Sequence, residues 1–97
     1  MPTFKGYRGF PGSICASPNE MIVHGIPGTY SLDDGDIISL DVGVTLGGWV
    51  SDAAVTLAIG EIDAGRERLL AATEASLFAG VEQAVPGNRM GDLSHAI

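Results

Sequence analysis

The chain reads as an α+β domain, an antiparallel hairpin followed by a helix, and three stretches carry that reading. "DIISLDVGV" and "WVSDAAVTLAIG" are β-branched runs separated by "TLGG", the pattern of two strands joined by a glycine turn. After Asp63 the period changes: Leu70, Thr73, Leu77, Val81 and Ala84 recur at three- and four-residue steps, the stripe of an amphipathic helix. Strands followed by a helix make a mixed layer rather than a parallel βαβ unit.

The first 20 residues are rich in Gly, Pro, Ser and aromatics, with "GFPGS" and "SPNE" as turn signals. Irregular chain is expected there, with a short extended piece around Ser13 to Ala16. "EMIVHGIPG" is an apolar run closed by Gly25, Pro27 and Gly28, so a strand that delivers His24 at its end is expected. "DDGD", Asp33 to Asp36, is a turn before the hairpin. Asp63 is suited to cap the helix, which "PGN" at Pro86 to Asn88 stops. "RMGDLSHAI" opens a second helix, and the sequence reaches Ile97 before another apolar stripe is complete, so these residues are expected to be one part of a larger domain.

Composition excludes several classes. A globule of 97 residues has a thin core. With 45% hydrophobic and 18% charged residues the chain is not of the disordered type. A formal charge of −7 has the wrong sign for a surface that binds phosphates, so nucleic acid is not an expected partner. The one cysteine, Cys15, has no internal disulfide partner, and no apolar run is long enough for a membrane span. The opening "MPTFKGYRGFPGS" lacks the apolar core of a signal peptide, and the expected setting is soluble, reducing and cytoplasmic.

The hairpin carries an acid on each strand. A turn centred between Leu46 and Gly47 pairs Asp41 directly with Asp52, and Val44 with Trp49 on the other face. Two like charges about 5 Å apart destabilise a sheet unless something lies between them. A shared proton or one or two divalent metal ions relieves the repulsion, and the position well inside the strands favours metal. Two carboxylates are too few for a hard divalent ion, and among the remaining donors, His24, His95 and scattered acids, no spacing selects the others.

Gly25 and Pro27 beside His24 fix a tight exit that holds its imidazole in one orientation, as donation to a substrate carbonyl or amide requires. Cys15 has neither a helix N-terminus nor a cation beside it in sequence to make it a reactive thiolate. It is expected instead to line an apolar pocket with Tyr7 and Phe10. His95 reads as a surface helix residue; Asp33, Asp34 and Asp36 read as turn formers, and Arg66, Glu67, Arg68 and Glu74 as a solvated helix face.

Three segments taken together resemble the type I methionine aminopeptidases of the M24 peptidase family, which have the creatinase-like or pita-bread fold. "GYRGFPGSICASPNEMIVHGIP" is similar to the family's substrate-pocket and histidine segment, "DGDIISLDVGVTLGGWVSDAAVTLAIGE" to its first metal-ligand hairpin, and "VPGNRMGDLSHAI" to its later Pro-Gly turn and helix. Phe10 stands where many members show tyrosine, and "SDAA" replaces a commoner Gly-Asp-Thr, yet neither change removes a ligand.

The resemblance implies removal of the N-terminal methionine from nascent polypeptides, by a metal-bridging hydroxide attacking the first peptide bond. It implies two divalent ions (Co, Mn, Fe, Zn or Ni), with Asp41 chelating one and Asp52 bridging both. His24 is then the catalytic residue that hydrogen-bonds the substrate, and Tyr7, Phe10 and Cys15 line the methionine pocket. Partners are peptides with an N-terminal methionine, and the ribosome that supplies them. The family's remaining histidine and glutamate ligands lie in the second half of its domain. Residues 1–97 are therefore expected to be a partial catalytic domain, lacking the N-terminal helices and the C-terminal half, and to be inactive alone. A proline-specific peptidase of the same fold and a non-catalytic partner-binding fragment are the competing readings.

Overall fold

The computed structural model describes residues 1–97, in two compact units, Met1–Ile62 and Asp63–Ile97. The first is a three-stranded antiparallel sheet in the order β1-β2-β3, where β1 is Cys15–Pro18, β2 is Ile37–Leu46 and β3 is Trp49–Ala58. The long central β2 pairs with β1 only along its first half. Past β1 the chain's own beginning takes over the same edge: the Thr3 amide donates to the Gly43 carbonyl (2.9 Å) and the Thr45 amide to the Met1 carbonyl (2.8 Å). The extended piece expected at Ser13 to Ala16 is thus β1, displaced by two residues.

The hairpin register differs from expectation by two residues. Leu46 pairs with Trp49, so the loop is Gly47-Gly48, with φ of 57° and 83°. Both central positions of such a turn are left-handed, which glycine adopts without penalty. A turn centred one residue earlier puts Leu46 in that region at a cost of about 1–2 kcal/mol. Asp41 therefore pairs with Ala54, Asp52 with Gly43, and Val44 with Ser51 rather than Trp49. Because the shift is two residues and not one, Asp41 and Asp52 stay on the same face, as diagonal rather than direct neighbours.

No strand forms at "EMIVHGIPG". The chain leaves β1 through a turn in which Asn19 has φ 50° and the Met21 amide donates to the Pro18 carbonyl. Ile22 (86%) and Val23 (58%) then stand in solvent, so the apolar run has no ladder to join. Only Gly25 returns to the sheet, accepting from the Ala16 amide (2.9 Å) and donating to Ser17 Oγ (3.0 Å).

The Asp33 to Asp36 turn forms as expected, with Gly35 at φ 94° and the Asp36 carboxylate accepting from the Asp33 amide (2.9 Å). Asn19 bridges two connections, donating to Asp36 Oδ1 (3.0 Å) and accepting from the Ile37 amide (3.2 Å). The core is as thin as the length implies: Cys15 and Ile37 are its buried apolar residues, with Ser17 buried beside them.

The second unit is a helix pair, α1 (Ala64–Glu82) and α2 (Met90–Ala96). Asp63 caps α1 as expected, accepting from the Gly65 (2.8 Å) and Arg66 (3.0 Å) amides. α1 ends at Glu82, short of the expected stop, and Gly87 (φ 99°) turns the chain into α2. The helices meet at Gly80, where a Cβ would lie 2.7 Å from Ile97 Cγ1. Leu77 and Val81 of the expected stripe are more than half exposed. No helix is long and apolar enough to cross a membrane.

The two amides that Asp63 accepts, Arg66 first, and the nearby arginine charges hold its carboxyl below the ordinary carboxylate range. A depressed folded pKa stabilises above the unfolded value and is lost as pH falls through the folded one. Helical circular dichroism is therefore expected to drop below about pH 4. Asp63→Ala is expected to lower helicity already at pH 7 and to flatten that step, while Asp63→Asn keeps the cap without the titration.

Candidate active site

β2 carries Asp41 and β3 carries Asp52 to one face of the sheet, and β1 sets Cys15 directly opposite Asp41. Above that face lies a cavity of about 640 Å³. Tyr7, Phe10, Cys15, His24, Asp41 and Asp52 all line it. Segments separated by as much as 45 positions are thus brought to one hollow, a size suited to a small-molecule or peptide-end ligand. His95, by contrast, lies on α2 in the other unit.

Phe4, Arg8 and Ile26 also line the cavity and had no role in the sequence reading. Phe4 had a signal: glycine inside a strand marks close approach of another group. Gly43 sits opposite Asp52, and a Cβ there would come 2.7 Å from the Phe4 ring. Arg8 belongs to a 3-10 turn, Tyr7–Gly9, and itself has φ 48°.

The acids are unequal. Asp52 is exposed, whereas Asp41 is half-buried with its Oδ1 shielded from solvent and without a hydrogen-bond partner. Burial above all pushes the Asp41 carboxyl above its ordinary range; the adjoining Asp52 carboxylate and its charge act the same way, and His24 opposes them. Burial also raises the Cys15 thiol, with the charges of Asp41 and Asp52 adding to it. Cys15 therefore stays a neutral thiol at neutral pH, a wall and not a nucleophile.

A buried acceptor-only oxygen with no donor is expensive, and a second carboxylate beside it makes matters worse. A shared proton or a cation relieves both costs at once, and the oxygen donor set fits a divalent metal. No three His, Cys, Asp or Glu side chains come close enough together to hold a metal ion, so these two acids form only part of a coordination shell.

His24 is exposed and has φ 62°, a left-handed backbone that histidine tolerates better than most residues. The next residue enforces it. Gly25 is buried, both its backbone polar groups are bonded to β1, and a Cβ on it would collide with the Ala16 carbonyl. The imidazole is thus aimed at the cavity by a glycine that cannot be replaced without moving the strand. The expected strand end does not do this work.

Comparison with known proteins identifies the family. The model of metallopeptidase family M24 matches residues 4–97. The chain belongs to this family. It is 53% identical over its whole length to methionine aminopeptidase 1 of Bacillus subtilis, and 54% identical to the methionine aminopeptidase of Clostridium acetobutylicum. In each case it spans 39% of the relative's length. Among solved structures it matches the methionine aminopeptidase of Thermotoga maritima with a TM-score of 0.94 and 42% identity, covering 99% of this chain and 39% of that one. The enzyme from Rickettsia prowazekii matches with a TM-score of 0.91 and 38% identity. The chain therefore has the fold of the corresponding part of the type I methionine aminopeptidases' pita-bread domain, as the sequence resemblance implied.

Two substitutions test how the site is held. Gly25→Ala is expected to destabilise the chain by about 1–3 kcal/mol in urea unfolding, because backbone and not a flexible side chain stands in the way. His24→Val, a β-branched residue at a left-handed position, is expected to cost about 1–2 kcal/mol in the same measurement, while His24→Gly removes the imidazole without that strain.

Proposed function

We propose that residues 1–97 form the first metal-binding part of a methionine aminopeptidase catalytic domain, acting on peptides with an N-terminal methionine. The observation that carries it is the convergence of the acid pair, His24 and an apolar wall on one cavity, with Asp41 Oδ1 buried and unpartnered. The relatives are named for that activity, which is consistent with the proposal. Asp41 and Asp52 would hold the divalent ions, two in number and drawn from Co, Mn, Fe, Zn and Ni. Bound metal supplies Lewis-acid polarisation and a nucleophile competent at neutral pH.

The chain's own residues account for the rest. Tyr7, Phe10 and Cys15 form a soft, apolar wall suited to a thioether side chain. His24, held by its fixed backbone, donates from a ring nitrogen to the substrate's peptide group as charge develops there. Through the metal they hold, Asp41 and Asp52 would offer the substrate's free α-amino group a place to bind, which would make the action exopeptidase rather than endopeptidase. A thiol among aromatic rings suits methionine better than it suits proline, which sets aside the proline-specific reading. The expected setting is the cytoplasm, with nascent chains from the ribosome as substrate.

Completion of the domain is part of the proposal, since the acid pair lacks further ligands. The chain alone is expected to show no turnover of a Met-Ala-Ser peptide and weak Mn(II) binding by calorimetry. In a chimera where residues 1–97 replace the matched segment of the Bacillus subtilis relative, turnover is expected. Asp41→Asn or Asp52→Asn there is expected to reduce kcat/KM by at least about 100-fold. Turnover by the isolated chain, or an Asp41→Asn chimera as active as its parent, contradicts the assignment.

A further inference from the structure

Arg8 is the only lysine or arginine on the cavity wall. Its guanidinium carbon lies 5.5 Å from the centre of the Tyr7 ring, within range of a cation–π contact. No carboxylate pairs with it, whereas Arg66 pairs with Asp63. The backbone at Arg8 is left-handed, φ 48° and ψ 32°, and bonds on either side hold it so. The Gly6 amide donates to the Phe10 carbonyl (2.8 Å), Phe10 to Tyr7 (2.9 Å) and Gly9 to Gly6 (3.2 Å). A non-glycine residue kept in this region by its surroundings is a feature of functional sites.

The cavity therefore has a polarity. One end is acidic, where Asp41 Oδ1 is shielded from solvent beside Asp52. Tyr7 is 66% exposed and Arg8 is exposed, so the basic group stands at the rim. A peptide that enters with its amino group toward the acids presents its later residues to that rim. A stacked arginine is suited to a carboxylate, which its planar fork engages through two hydrogen bonds.

We propose that Arg8 is a specificity-determining residue that binds a carboxylate carried by the substrate beyond its first residue. The proposal deepens the aminopeptidase reading and rests on it. The carboxylate is an aspartate or glutamate side chain at the second or third position, or the C-terminus of a short peptide. An exposed arginine–carboxylate contact is worth up to about 1 kcal/mol, so the expected preference is about two- to fivefold.

The test uses the metal-loaded chimera described above and four peptides: Met-Ala-Ser, Met-Ala-Asp and Met-Ala-Lys as C-terminal amides, and Met-Ala-Ser as the free acid. The parent is expected to favour the Asp amide over the Lys amide about two- to fivefold in kcat/KM, with the difference in KM and its size shrinking at 0.5 M salt. Arg8→Ala is expected to abolish that preference, and Arg8→Lys to keep part of it. A gain for the free acid over the Ser amide that Arg8→Ala removes extends the recognition to the C-terminus. A preference that survives Arg8→Ala, or an Arg8→Ala loss equal across all four peptides, overturns the role of Arg8 while leaving the aminopeptidase reading in place. Absence of cleavage of every peptide by the parent overturns both.

Discussion

Two carboxylates share one face of a hairpin, one of them partly out of water, and much of the first unit depends on how that is tolerated. The Gly47-Gly48 turn sets the register, the register puts Asp41 and Asp52 on a diagonal, and β1 brings a neutral thiol against Asp41 rather than a compensating base. A diagonal leaves more room between carboxylates than a direct pair does. Repulsion between the two acids is then the cost that the proposed cation would relieve.

The rest of the unit shapes access to that pair. Phe4 lies over the missing side chain of Gly43, the Gly6 to Phe10 turn raises Tyr7 and Arg8 beside it, and Gly25 pins the backbone that aims His24. Glycine is used differently at each place: for left-handed turns at Gly47 and Gly48, for close approach at Gly43 and Gly25. Hardly any side chain is fully buried, so apolar burial is spread over many half-exposed side chains. Order in the loops comes from short backbone hydrogen bonds and the Asn19 bridge.

The hairpin, the cap at Asp63 and both helices were legible in the sequence because local chemistry dictates them: β-branched runs, an acid before a 3.6-residue period, a Pro-Gly break. The face shared by Asp41 and Asp52 was legible too, although the direct pairing was not. Alternation of side chains fixes which face a residue takes, whereas the register also needs to know which two residues of "TLGG" sit in the turn. His24 shows where local reading stops. "MIVHGIP" has strand composition, but a strand needs a free edge to pair with, and the Asn19 turn carries the run off into solvent. Phe4 and Arg8 joined the site through tertiary approach, which only Gly43 and the closely spaced glycines of "GYRG" announced.

β3 is an outer strand of this sheet, ten residues long, and Asp52 is the only charged side chain along it. An uncharged strand of that length, exposed along one edge, is a template for pairing with further chains, and a single charge within it is a common safeguard. Asp52 thus breaks that uncharged run from the same position in which it faces the cavity. If Asp52 holds a cation as proposed, its neutralisation is expected to change self-association and cation affinity together, one side chain tying behaviour in solution to the chemistry of the site.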